Sequence, residues 1–318
     1  MSFPVPPDAP THAVPANAST PAPQPSGSWA AQLARLVRWE LFLAWRRRGM
    51  VITLSALLLA GYVIVQLYLW ITWATLDQYL QQQLQIIRLL EFPLSTSLSG
   101  QYFNQLGTLL LIVLAGALIG SEYSYGTHRL SLARGVGRGQ LLLAQVIAIA
   151  ILALVASGVT LLLGSVVGAF GGMALGGSTA LSAAGLGELV GFWLATALNA
   201  FAYALIALWI GTLGRSVAAA IAGPLIYIFL ELVATGLFTI FREAPNPSAL
   251  IKFISAIPDY LLGSNTSEVI QLSGQSPYAL IDHAGQLGWT HAIIVIAVYC
   301  ALFITSAYLI FRGRDIRE

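Results

Sequence analysis

Six long apolar runs set the limits on what this chain can fold into: about Met50–Thr75, Asn104–Ser121, Gln140–Phe170, Leu189–Leu213, Ala218–Phe241 and Trp289–Phe311. Each is near or above the roughly 20 residues that carry a helix across a bilayer. Lipid offers no partner for a backbone N–H or C=O, so a spanning segment must be a helix or part of a closed barrel. The runs are continuous rather than alternating, which selects helices. Charged residues make up 9% of the chain, against roughly 25% in a soluble protein, so no aqueous fold is compatible with it. The sequence predicts an all-α, polytopic membrane protein with six transmembrane helices, residues 49–318 forming the membrane domain. The third run would be about 46 Å long as a helix, so part of it should project beyond the hydrocarbon.

Residues 1–27 differ in kind. They hold eight of the fourteen prolines, with Ala, Ser and Thr between them, a composition that cannot bury a core and favours extended chain. They lack the basic start and apolar centre of a signal peptide, so a retained tail is expected. Residues 28–48 place Leu33, Leu36, Val37, Leu41 and Ala44 at helical spacing, with Trp29, Trp39 and Trp45 along the segment and Arg46, Arg47 and Arg48 closing it. Tryptophan favours the headgroup layer and arginine the anionic inner surface. A helix lying on the membrane, anchored by Trp39 and Arg46–Arg48, fits this pattern. A helix packed on a partner is the alternative.

Orientation follows from the basic residues. With the N-terminus inside, the inner segments carry Arg35, Arg38, Arg46, Arg47, Arg48, Arg129, Arg134, Arg138, Arg215, Arg312, Arg314 and Arg317, leaving Arg88, Arg242 and Lys252 outside. Twelve against three is the asymmetry of a protein with both termini in the cytoplasm, and a plasma-membrane location is expected. The outer loop 242–288, with Asp259, Glu268 and Asp282, is too long to be structureless and should contain short helices.

Catalytic and metal-binding patterns are lacking. His12, His128, His283 and His291 have no ligand-like spacing, and no GxxxxGK[ST] phosphate loop or HExxH motif occurs. The fragment Leu272-Ser-Gly-Gln-Ser276 stands alone and reads as a chance likeness to an ATPase signature. Cys300 reads as a small hydrophobe. Nothing marks a nucleic-acid partner, and no enzyme activity is expected of the chain itself.

The stretch Glu122 to Arg138 is distinctive. Glu122 closes the second run, Gly126-Thr127 offers a turn and cap, and Arg129, Arg134 and Arg138 follow at intervals of four to five residues. A short amphipathic helix on the membrane fits, as does a plain loop whose arginines only set topology. The pattern Glu122-x-x-x-Gly126-Thr127 and the basic tract ending Arg138-Gly-Gln-Leu resemble the permease subunit of a type-2 ATP-binding-cassette (ABC) transporter. The Arg35–Arg48 segment with Trp39-Glu40-Leu41 is similar to that family's N-terminal elbow helix, and Phe311-Arg-Gly-Arg-Asp315 to its C-terminal end. The likeness covers residues 28–318. Gly135 stands where the family usually has proline, and Gln145 where lysine is common.

The resemblance implies a cytoplasmic coupling helix between spans 2 and 3 that seats in a separate ABC ATPase subunit. It also implies a second permease subunit, identical or related, and a role as an exporter. ATP and magnesium would be bound by the ATPase, so this chain would hold no cofactor. Glu122, Gly126, Thr127, Arg129, Arg134 and Arg138 become the expected ATPase interface, with Glu122 bracing it through one of the arginines. Two other classes remain: a multi-span scaffold or accessory protein, and a secondary transporter, for which no inverted repeat is evident.

Glu231 is the sharpest residue inside a run. About 22 Å along its helix, it costs at least about 2.5–3.5 kcal/mol facing lipid. A translocation path or subunit interface, with Asn199 or Gln145 as polar neighbours, is one expectation, and a hydrogen-bonded packing role is the other. Pro224 predicts a bend. Gly116-x-x-x-Gly120 and Gly164-x-x-x-Gly168 would permit close helix packing.

Overall fold

The computed structural model describes residues 28–77, 89–125, 136–175, 183–240, 248–273 and 287–313. Within them the chain is helical and no strand occurs. Helix α1 (Trp29–Arg46) is capped by Ser28, whose hydroxyl accepts from Ala31 N, and only Arg47 separates it from α2 (Arg48–Thr75). Then come α3 (Leu94–Tyr102), a π-helical turn (Phe103–Gly107) and α4 (Thr108–Ser124), which run on without a break. Helices α5 (Arg138–Leu175), α6 (Ala183–Gly214) and α7 (Val217–Ile240) follow. Short α8 (Ala249–Ala256), a 3-10 turn (Ile257–Tyr260) and α9 (Leu262–Leu272) precede the last helix, α10 (Trp289–Gly313). Six helical segments are long and apolar enough to cross a bilayer: α2, α3 through α4, α5, α6, α7 and α10.

Helix α6 occupies the centre, packed by α4, α5, α7 and α10. Phe192, Leu205, Ile206 and Leu208 along it are fully buried. One end of the bundle gathers Arg46–Arg48, Ser121, Ser124, Tyr125 and Val217 around a recess of about 630 Å³. At that same end Arg138 donates to the carbonyl oxygens of Phe311 and Arg312 at 3.3 and 2.7 Å, closing the C-terminus of α10. This is called the arginine end below.

The second span begins ten residues before the apolar run that predicts it. Residues Leu94–Gly100 are rich in Ser and Thr, yet Ser95, Thr96, Ser97 and Ser99 are buried. Their hydroxyls are satisfied locally or by α5: Ser95 Oγ donates to Gly164 O (3.0 Å), Ser99 Oγ to Thr96 O (2.7 Å), and Thr96 pairs with Ser165 (2.9 Å). Gly164, Gly168 and Gly171 leave the backbone of α5 bare, and residues 90–99 lie directly on it. The other glycine pair works alike. A Cβ at Gly116 would lie 2.7 Å from Ala220 O, and one at Gly120 only 2.5 Å from Val217 Cα. The loop before α10 contains short helices, as its length requires; α9 packs on α10 and α6.

Candidate functional site

Among the described residues, two polar clusters built around carboxyl side chains stand out in the interior. The first lies at the arginine end. Glu40 sits on the buried face of α1 between Val37 and Ala44 and is 7% exposed. Its carboxyl hydrogen-bonds that of Glu122, at the end of α4, and Gln145 Nε2 of α5 donates to Glu122 Oε2 at 2.8 Å. Arg47 lies near enough to act on Glu122 electrostatically. Its guanidinium donates to Ala117 O at 3.0 Å and to the Ser121 hydroxyl. One carboxyl of α4 thus joins α1 and α5.

Burial and the neighbouring Glu122 carboxyl push the Glu40 pKa up to about 9. The folded value exceeds the unfolded one, so this junction contributes its full stability below about 4.5. That contribution declines through the interval and is gone above about 9. Hydrogen exchange in α1 is therefore expected to speed up as pH rises from about 5 to 9 beyond the intrinsic chemical increase. Glu40→Gln, which stays neutral, should remove that excess. The same excess in Glu40→Gln would contradict this assignment.

The second cluster lies toward the opposite end. A cavity of about 650 Å³ opens between α3, the π turn, α4, α6, α7 and α9. The π turn forms where the fully buried Phe103 ring lies over Gly107, which has no side chain to obstruct it. Such turns often mark functional sites. This one carries Asn104 and Gln105, both lining the cavity. Asn199 Nδ2 of α6 donates to Asn104 Oδ1 (3.1 Å) and Thr108 Oγ1 (3.2 Å). At 1.5 Å per residue, Thr108, Asn199 and Glu231 all lie about 21–24 Å from the arginine ends of their helices.

Glu231 is 7% exposed, and both its oxygens accept hydrogen bonds. Tyr203 OH donates to Oε2 at 2.6 Å, and the backbone N–H of Gly263 donates to Oε1 at 2.6 Å. Gly263 lies in the first turn of α9, where N–H groups have no helical partner and a carboxylate is favoured. Glu231 therefore ties α6 and α7 to α9. The 3-10 turn below is held by Asp259 O, which accepts from Asn265 Nδ2 (2.9 Å) and contacts His291 Nε2 (3.0 Å).

Of the residues singled out from sequence, Glu231 and Asn199 share this cavity, whereas Gln145 belongs to the junction with Glu122. Arg138 is engaged by the end of α10. Gly126, Thr127, Arg129 and Arg134 lie outside the described residues. On α1, Trp39 is 53% exposed beside Phe42, with ring centroids 5.9 Å apart. Arg46 and Arg48 are exposed, and Arg47 is half-buried. Sequence reasoning gave no site role to Glu40, Asn104, Thr108 or Tyr203. Glu40 alone left a signal, an acid at helical spacing within an apolar stripe.

Among the described residues, six helices long and apolar enough to cross a bilayer, three of which line a polar cavity, mark a multi-pass helical membrane protein. The chain belongs to the family described as Protein of unknown function (DUF2705), whose model matches residues 89–317. The match takes in spans 2 to 6, the cavity, Glu122 and Gln145, and leaves out α1 and α2. No curated protein matches the chain.

Proposed function

We propose that the chain is the permease subunit of an ATP-binding-cassette exporter, working with a second permease subunit and a separate ATPase subunit in a cell membrane. The observation that carries this reading is the junction at the arginine end. There a single carboxyl, Glu122, engages α1 through Glu40 and α5 through Gln145. Four residues further on the chain enters Gly126-Thr127 and the basic tract that resembles a coupling element. A push on that tract would reach three helices at once, as coupling to an ATPase requires. The polar cavity in the outer third of the bundle supplies a place for a solute that lipid would reject.

Under this reading Arg129 and Arg134 meet acidic groups on the ATPase. Arg138 is a poor test of it, because its guanidinium also closes α10. The tagged chain, purified from its own membranes, is expected to retain an ATPase subunit in equal stoichiometry, and the complex to turn over ATP. Arg134→Glu should lower that retention at least about tenfold, the effect of losing one hydrogen-bonded charge pair, with the thermal midpoint unchanged. A wild-type protein that carries no ATPase, or an Arg134→Glu protein that carries it undiminished, refutes the proposal.

A further inference from the structure

We propose that the outer cavity is a binding site for an organic ammonium group, with Glu268 of α9 as its counter-charge. Three carboxyl residues line the cavity, Glu231, Asp259 and Glu268, and among the described lining residues there is no Lys, Arg or His. Glu231 already accepts from Tyr203 and Gly263. Glu268 is different: it is 6% exposed, and its buried Oε1 accepts no hydrogen bond. An unpartnered buried carboxylate oxygen is costly unless a cation or donor meets it. Across the cavity, Asn104 Nδ2 of the π turn is a buried donor that likewise lacks an acceptor. One unpaired acceptor and one unpaired donor, both on residues that line the cavity, suit a solute that carries a cationic amine and a hydrogen-bond acceptor.

The volume, about 650 Å³, falls in the range of small-molecule sites, which run from about 300 to 1,000 Å³. An inorganic ion is disfavoured, because no three His, Cys, Asp or Glu side chains converge to hold a metal among the described residues. Neighbouring Thr266, Ser267 and Gln271 add hydroxyls and an amide, which solvate an amine but do not replace a charge. Binding of this kind does not require an ATPase, so it stands apart from the transporter reading.

The test uses dansylcadaverine, a fluorescent primary amine, and its N-acetylated form, which has nearly the same shape and no charge. The purified full chain sits in nanodiscs of phosphatidylcholine, which has no net charge to attract the probe. Fluorescence anisotropy should show saturable binding of the amine, with the acetylated form at least about tenfold weaker. Glu268→Gln should weaken the amine roughly 10- to 100-fold, the effect of a lost hydrogen bond to a charged group, and leave the acetylated form unchanged. Should Glu268→Gln fold poorly, Gln105→Trp, a change at an exposed lining residue that fills the cavity mouth, should block the amine instead. A site occupied only by water would show no saturable amine binding. That result, equal affinity for the two probes, or unchanged amine binding by both variants overturns the proposal.

Discussion

Gly120→Leu is expected to deprive the bundle of a seated α7. Even the first added atom, Cβ, would lie 2.5 Å from Val217 Cα and 2.7 Å from Val217 N, atoms of a helix backbone that cannot rotate away. Overfilling a packed interior costs about 1–3 kcal/mol where side chains can yield. Here the whole helix must shift, and α7 carries Glu231 and with it the attachment of α9. A loss above about 3 kcal/mol and a clear fall in thermal midpoint are expected in purified protein. Gly191→Ala is the matched control, because nothing lies within 4 Å of its Cβ. Ala is the better helix former by about 1 kcal/mol, so that variant should be neutral or slightly stabilised. Equal thermal midpoints for the two variants would contradict the packing described.

The second large effect is expected at Glu231→Ala. Truncation leaves the Gly263 N–H and the Tyr203 hydroxyl without their acceptor in a buried setting. Each orphaned donor costs about 1–3 kcal/mol, so the loss should be roughly 2–6 kcal/mol. It should be felt first as faster hydrogen exchange in α9. Glu231→Gln keeps an oxygen for Gly263 and should lose less. Tyr203→Phe removes one of the two bonds, about 1 kcal/mol. A double-mutant cycle between Glu231→Ala and Tyr203→Phe should show non-additivity, since the two share one hydrogen bond. Full additivity would mean that the Tyr203–Glu231 bond contributes nothing.

The contrast between Glu231 and Glu268 shows what a linear reading can detect. An acid inside an apolar run stands out because lipid cannot solvate it, so Glu231 was visible at once. What it does was not visible, since its partners lie 28 residues before it and 32 after it in the chain. Glu268 sits in a polar loop, where a carboxyl is unremarkable until the fold buries it. The early start of span 2 was concealed for a related reason. Serine and threonine lower the hydropathy of Leu94–Gly100, but their hydroxyls find carbonyl and hydroxyl partners on a glycine-lined α5. Hydropathy registers the solvation a side chain loses on burial and ignores the bonds it gains. Gly116 and Gly120 were likewise legible as permissive positions, while the identity of the helix pressed against them was not.

The sequence by itself determined that this chain spans a membrane as six helices and which end gathers its arginines. Both follow from local solvation: a run of 20 apolar residues has no other place to go, and a guanidinium avoids hydrocarbon wherever its neighbours lie. Only the tertiary structure decided that Gln145 belongs with Glu122 and Glu40, that Glu231 holds α9, and that Asn104, Asn199 and Glu268 face one cavity. Those pairings depend on which helix faces which, a matter of packing between segments far apart in the chain, and hydrophobic periodicity carries no record of it.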